Sequence, residues 1–262
     1  MIPILVTIFF ILGIIIGSFL NVVILRFNTQ RTFGGRSGCM ICQNKLCWYE
    51  LIPIISFLGL QGRCKNCKSK ISIQYPIVEF ISGLVFVGIF LKFQDIFFLD
   101  SFTFTVSYAY YVTMFSVLLV VAVYDLKHKI IPDALSFIFG IMAFIGLFFF
   151  SNYIFYPHIP SILEFLSGIF LALPFALIWL VSRGKWMGLG DAKLALGLGW
   201  LVGLSQLLSG AVVAFWSGSI IGIILIIFSK KYGIKSEIPF APFLVFGVLF
   251  AFLCELHFFV GI

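Results

Sequence analysis

The sequence predicts an all-α, polytopic membrane protein of about eight transmembrane helices, with one small polar loop domain between the first two. Three observations carry this reading. The 262 residues are 62% hydrophobic and only 10% charged, with a mean hydropathy of +1.17, and no soluble domain of that length hides so much apolar surface. The apolar residues fall into separate runs of spanning length. Lysine and arginine alternate from loop to loop, as they do where basic loops stay in the cytosol. The net charge of +7 is therefore a topology signal, and no nucleic-acid partner is expected. The 34 phenylalanines suit helices that face lipid.

The chain divides into residues 1–25, a first transmembrane helix; 26–74, a polar segment; and 75–262, the remaining helices. Residues 2–25 are long enough to span and lack a basic n-region, so they read as a retained helix and not as a cleaved signal peptide. Further helices are expected near 76–94, 102–124, 132–150, 161–181, 190–204, 207–228 and 240–260. The sixth is short and carries Gly197, Gly199 and Gly203, which permit close helix packing. Its boundary with the seventh is the least marked of all.

Orientation follows from the basic residues. The 26–74 segment carries Arg26, Arg31, Arg36, Lys45, Arg63, Lys65, Lys68 and Lys70 against one acid, Glu50. Placing it in the cytosol also puts Lys127/Lys129, Arg183/Lys185, Lys193 and Lys230/Lys231/Lys235 inside, with both termini external. Lys92 alone sits near an outer end, accompanied by Asp95 and Asp100.

Within the polar segment, Cys39-Met-Ile-Cys42 and Cys64-Lys-Asn-Cys67 form two CxxC pairs separated by 21 residues. Such a pair of knuckles presents four thiolates tetrahedrally to zinc. A reducing cytosol disfavours the competing reading, a pair of disulfides. A segment this small builds little core, so a metal staple has a structural task. A redox role for one CxxC lacks the βαβ surroundings it would need. Cys47 lies between the knuckles at a spacing that fits neither, and Cys254 reads as a small buried hydrophobe.

Two carboxylates stand out among the apolar runs. In Gly188-Leu189-Gly190-Asp191 the acid lies beside two glycines at the mouth of an apolar run. Either it caps the following helix, or the glycines admit a peptide backbone beside a functional carboxylate. Asp125 ends the third helix, where the dipole disfavours an acid, so capping does not explain it. Asp133 follows Pro132 and reads as a first-turn acid of the fourth helix. The predicted topology puts Asp125 and Asp191 on one side at similar depth. Two carboxylates sharing a semi-dry site tend to share one proton, leaving one to accept a proton from water and one to polarise a carbonyl. That is aspartic-protease chemistry and needs no metal. Glu79, at the start of helix two, either binds a basic substrate segment or caps its helix. His128 reads as an interfacial cation, and His158 and His257 lie far from the proposed site. Asn21 reads as a hydrogen-bonding group between helices.

The chain resembles the bacterial type IV prepilin peptidase family along nearly its whole length. The residues that carry the resemblance are Gly17-Ser-Phe-Leu-Asn21-Val-Val, the double CxxC loop, Trp48-Tyr-Glu-Leu-Ile-Pro53, Gly62-Arg-Cys64 and Tyr75-Pro-Ile-Val-Glu79. They continue with Asp125, Ile131-Pro132-Asp133, Gly188-Leu-Gly190-Asp191-Ala-Lys193 and Pro239-Phe-Ala-Pro242-Phe. Cys47 and the Phe-Asn-Thr-Gln that follows Arg26 depart from the pattern, and neither touches the catalytic motifs.

The resemblance implies a multi-pass aspartic peptidase of the bacterial inner membrane. It would remove the basic leader of prepilins or pseudopilins at the cytosolic face, with residues 75–262 as the peptidase domain. It selects Asp125 over Asp133, making Asp125 and Asp191 the catalytic pair. Gly188, Gly190 and Glu79 would position substrate, and Cys39, Cys42, Cys64 and Cys67 would hold zinc. It also implies methylation of the new N-terminus with S-adenosylmethionine, for which no residue of the sequence marks a pocket. A channel or transporter with a cytosolic zinc module is the rival reading. It would want its carboxylates near the bilayer midplane. A non-catalytic zinc scaffold leaves Asp125 and the GxGD unexplained.

Overall fold

The computed structural model describes residues 2–29, 32, 34–228, 233 and 237–258. Arg31, Lys230, Lys231, Lys235 and both chain ends, on which part of the orientation reading rests, lie outside them. The chain forms two compact units, residues 1–94 and 95–262.

Eight apolar helices are described: α1 (Ile2–Arg26), α3 (Gln74–Leu99), α4 (Ser101–His128), α5 (Asp133–Phe149), α6 (Ile162–Ser182), α7 (Leu189–Val202), α8 (Leu204–Phe228) and α9 (Ala241–Cys254), with a short α2 (Ile55–Gly59) in the polar segment. Of these, α1, α3, α4, α6 and α8 are long and apolar enough to cross a membrane, and α5 and α9 are shorter apolar helices. The protein is a helical, polytopic membrane protein.

Local chemistry sets the helix ends. Asp100 alone separates α3 from α4, and its carboxylate caps α4 by accepting the Phe102 N–H at 3.0 Å. Ser161 and Glu164 form a capping box at the start of α6, the Ser161 N–H donating to Glu164 Oε2 at 2.7 Å. The join between α7 and α8 is a single glycine, Gly203, at φ +77. The apolar run is continuous through that residue, so hydropathy cannot mark the boundary. At the other extreme α9 stops at Cys254, earlier than the apolar run predicts, because Glu255 takes the left-handed conformation that ends a helix. A two-residue β-hairpin, β1 (Phe150–Ser151) with β2 (Ile154–Phe155), occupies the connection before α6.

Within residues 1–94, α1 lies on α3 through small residues four apart. A Cβ on Gly13 would stand 2.7 Å from the Gly83 Cα, and one on Gly17 would stand 2.8 Å from the Glu79 Cα. Asn21 joins the same contact by donating to the Tyr75 carbonyl at 3.1 Å, the helix-to-helix bond expected of it. Where lipid is as apolar as leucine, such backbone approach is what holds helices together.

Residues 95–262 use the same device. Here α7 is enclosed by α5 and α6, and α9 packs on α4 and α8. Gly199 of α7 touches Gly168 of α6, Gly197 meets the ring of Phe139, and Gly210 of α8 meets Gly247 and Val248 of α9. Phe115, Leu118, Phe139, Leu194, Leu198, Leu244 and Phe252 are fully buried. At 14 residues α7 is about 21 Å long, shorter than the roughly 30 Å hydrocarbon layer.

These contacts set a test. Any side chain at position 199 meets the Ser167 carbonyl at 2.7 Å and the Gly168 backbone, so Gly199→Val loses about 1–3 kcal/mol or fails to fold. A Cβ at Gly140 meets nothing within 4 Å, and Gly140→Ala gains up to about 1 kcal/mol of helix propensity. Thermal unfolding of the purified variants in detergent reads both.

Candidate active site

Asp125 lies in the last turn of α4 and Asp191 in the first turn of α7, and the two are 5% and 8% exposed. The fold brings them close enough that the charge of Asp125 is felt at Asp191. Asp191 is the third residue of its helix, where its own N–H donates to the Gly188 carbonyl at 3.3 Å and its carboxylate lies near the Gly188 backbone. Its Oδ1 is buried and has no hydrogen-bond partner among the described residues. Asp125 lies near the backbone N–H of Ala241, the first residue of α9.

Two further segments complete the site. A Cβ on Gly190 would stand 2.9 Å from the Ile131 Cβ, so the missing side chain lets the link between α4 and α5 lie on the first turn of α7. Gly188 faces the carboxylate itself, where a Cβ would lie 3.7 Å from Asp191 Oδ2. Ile131 and Ala241 had no role assigned from sequence, although both fall in the motifs that carry the resemblance. Pro242 at a helix start was the available signal for the second.

The other polar outliers fall elsewhere. Asp133 is exposed in the first turn of α5, where the Lys193 ammonium pairs with it at 2.7 Å. His128 lies against Tyr124 in a tilted ring pair with centroids 4.4 Å apart and is solvent-exposed. His158 lies 3.6 Å from Glu164, and His257 bonds Ser205 at 2.9 Å. Two buried carboxylates, beside main-chain groups and with one unpartnered oxygen, can exchange protons with a third molecule placed between them.

The four thiols of Cys39, Cys42, Cys64 and Cys67 form a cluster, all within 4.8 Å of one another. Both CxxC turns are built alike. The residue after each second cysteine, Gln43 or Lys68, is left-handed (φ 55 and 58) and returns its N–H to the first cysteine's carbonyl at 3.0 Å. Each first cysteine in turn donates its N–H to a residue beyond the turn, Cys39 to the Asn44 carbonyl and Cys64 to that of Ser69. The Cys39 and Cys67 sulfurs stand 3.7 Å apart. That is the edge of a tetrahedron with metal–sulfur bonds of about 2.3 Å, and far beyond the roughly 2.05 Å of a disulfide. The Cys42 and Ile41 N–H groups and the Ser69 hydroxyl lower the Cys39 thiol to about 6. The Ser69 hydroxyl, then its N–H, lowers Cys67 also. Thiolate is the form that binds metal, so the cluster fits a tetrahedral thiophilic ion. Cys47 is exposed and outside it.

Glu79 is buried in the second turn of α3, away from the helix start, so it does not cap. Its Oε2 accepts the Ile54 N–H at 2.8 Å. Ile54 is β-branched yet sits at φ 60, a conformation held only where surrounding contacts impose it. Glu79 thus ties a strained turn of the polar segment to a membrane helix.

Residues 11–93 match the bacterial peptidase A24 N-terminal domain, and residues 112–227 match the type IV leader peptidase family. The first segment contains the cysteine cluster and the second both aspartates. The chain is 31% identical to a Myxococcus xanthus protein named prepilin leader peptidase/N-methyltransferase, over 90% of this chain and 67% of that one. A Bacillus subtilis protein of the same name is 28% identical over 94% of this chain and 93% of its own. An Escherichia coli protein named type 4 prepilin-like proteins leader peptide-processing enzyme is 32% identical, covering 90% and 88%. No solved structure matches the chain.

The tight contact at Gly190 separates the two glycines of the motif. Gly190→Ala drives a methyl into Ile131 and costs about 1–3 kcal/mol, and Ile131→Gly, which removes the opposing Cβ, recovers part of the loss in the double variant. Gly188→Ala meets no close atom and costs less than about 1 kcal/mol. Unfolding midpoints of the four proteins check the cycle.

Proposed function

Because the chain belongs to the type IV leader peptidase family and is a membrane-embedded peptidase, we propose that it cleaves the basic leader from type IV prepilins or pseudopilins through Asp125 and Asp191. The observation that supports this most is the meeting, in one buried place, of two carboxylates from helices distant in sequence. Membership of a peptidase family displaces the channel or transporter reading.

In this mechanism the charged member of the pair takes a proton from water while the water oxygen bonds to the scissile carbonyl carbon. The protonated member gives its proton to the carbonyl oxygen. The resulting diol collapses with breakage of the C–N bond: a diol hydroxyl returns its proton to the second carboxylate as the C=O re-forms, and the carboxylic acid formed in the first step gives its proton to the departing amine, so the pair ends as it began. Gly188 leaves the approach to Asp191 open, and Gly190 seats the helix end on Ile131. Glu79 serves substrate indirectly, by holding the Ile54 turn.

The cleavage face is cytosolic on this reading. Lys127 and Lys129 follow Asp125, and Arg183 and Lys185 precede Asp191, which is the basic flank that stays inside. Zinc held by Cys39, Cys42, Cys64 and Cys67 would act as a structural cross-link of residues 26–74. N-methylation would follow the names of the relatives. The cavities described within residues 95–262 lie at the far end of α7, about 18 Å along the helix from Asp191. A methyl donor there would not reach an amine freed at the aspartates, so they do not fit S-adenosylmethionine for this step.

Asp125→Asn and Asp191→Asn each abolish cleavage of a prepilin while the protein inserts and folds, and the double variant is hardly worse than either single, because one amide already breaks the proton exchange. Asp133→Asn keeps most activity. Cleavage follows a bell-shaped pH profile whose limbs belong to the pair. Gel-shift assay of the product reads all of these, and normal cleavage by either aspartate variant removes the assignment.

Elemental analysis finds one zinc per chain, sharply reduced by Cys39→Ser or Cys67→Ser and unchanged by Cys47→Ser. Since the aspartates need no metal, brief chelation leaves cleavage intact while loosening residues 26–74 to limited proteolysis.

A further inference from the structure

The segment between α1 and α3 is polar only on average. From Leu51 to Leu60 it reads Leu-Ile-Pro-Ile-Ile-Ser-Phe-Leu-Gly-Leu, without a single charge. A run of that length is too short to span a bilayer and suits a re-entrant or interfacial element. Protein covers it poorly. No residue of α2 is buried, and Ile55 and Leu58, about one turn apart, are 66% and 68% exposed. Trp48 and Leu51, just before them, are exposed as well.

The depth of this run follows from Glu79. Helices α1 and α3 lie antiparallel in one register, with Gly13 level with Gly83, Gly17 with Glu79, and Asn21 with Tyr75. At 1.5 Å per residue, the level of Gly17 and Glu79 is about 13 Å along α1 from Arg26, its basic end, and about 7 Å inside the start of α3. Phe19 of α1 and Phe80 of α3, both exposed, show that these helices face lipid there. Glu79 Oε2 accepts the Ile54 N–H at 2.8 Å. That bond pins the turn opening α2 at the same level, below the basic end of α1.

The backbone of the run is closed as a lipid environment demands, since an unpaired main-chain group in hydrocarbon costs several kcal/mol. Besides Ile54, the N–H groups of Ser56, Leu58, Leu60 and Gly62 donate to the carbonyls of Ile52, Ile54, Ser56 and Phe57 at 2.9–3.1 Å. Groups typical of the headgroup layer stand at both edges. Trp48 and Tyr49 precede the run and Arg63 and Lys65 follow it, the Lys65 ammonium donating to the Tyr49 hydroxyl at 2.9 Å.

We propose that residues 51–60 dip into the bilayer as a re-entrant element, with Ile55 and Leu58 against lipid acyl chains. The lipid-facing surface of α1 and α3 continues onto them. The Glu79 bond sets their depth with no substrate bound, so lipid, and not an apolar peptide, covers this face. The cysteine cluster, whose second knuckle begins at Cys64, is thereby held at a fixed height at the membrane surface. This contact is independent of the cleavage chemistry.

Photo-crosslinking tests it. Benzoylphenylalanine is placed singly at Ile55, Leu58, Phe80 or Asn66 of the full chain in phospholipid nanodiscs, irradiated, and the intact mass is read for lipid adducts. Phe80 reports a lipid-facing helix, and Asn66 lies exposed between Lys65 and Lys68. Proteins whose unfolding midpoint matches that of the wild type are compared. Positions 55 and 58 give at least half the lipid adduct found at 80 and several-fold more than 66. In a second measurement, Leu58→Asp lowers the unfolding midpoint in nanodiscs by several degrees, because a carboxylate there meets hydrocarbon; the same change at a water-facing position leaves the midpoint nearly unmoved. The proposal is overturned if 55 and 58 give no more lipid adduct than 66, if they cross-link an added prepilin in place of lipid, or if Leu58→Asp leaves the midpoint unchanged.

Discussion

Holding two carboxylates side by side inside an apolar helix bundle is the constraint on which the rest of this structure depends. An ionisable group at membrane depth costs several kcal/mol, and a second of like charge adds repulsion. Cationic side chains do not answer that cost here. Among the described residues neither Asp125 nor Asp191 belongs to an ion pair, although the chain carries an excess of seven positive charges. Main-chain groups lie beside them instead: Ala241 at the start of α9 near Asp125, and the Gly188 backbone near Asp191. Helix starts supply unpaired N–H donors without introducing a charge that would quench the acid.

The nearby lysine shows the same economy. Lys193 lies two residues from Asp191, yet its ammonium is committed to exposed Asp133. A cation free to reach the aspartates would favour their ionised forms. The exposed pair contributes little stability by itself; its consequence is positional, fixing the first turn of α5 against that of α7 beside the Ile131–Gly190 contact.

Helix packing follows from the same need. To seat α7 among its neighbours with an acid at its first turn, the backbone approaches must be tight enough to exclude lipid and water. Gly168 against Gly199 and Gly190 against Ile131 achieve this. Outside the membrane the polar segment solves a different problem, the lack of a core, by two matched CxxC turns. Its attachment to α3 runs through Glu79 and the strained Ile54, so one buried carboxylate in residues 1–94 does structural duty.

The sequence by itself determined a helical, polytopic membrane protein, because its apolar runs are many and its charges few. It also determined the cysteine cluster, because metal geometry is written in CxxC spacing. The GxGD aspartate stands out in the sequence as an acid set among glycines. Tertiary structure alone decided which groups surround that acid. Ala241 reaches Asp125 from more than a hundred residues away, and neither hydropathy nor spacing encodes which helix start will face which helix end. The same holds for the α7–α8 break, which one positive φ at Gly203 makes inside an unbroken apolar run. Glu79 was ambiguous for that reason too: its partner is a backbone N–H, and backbone donors look identical along every sequence until folding brings one of them near.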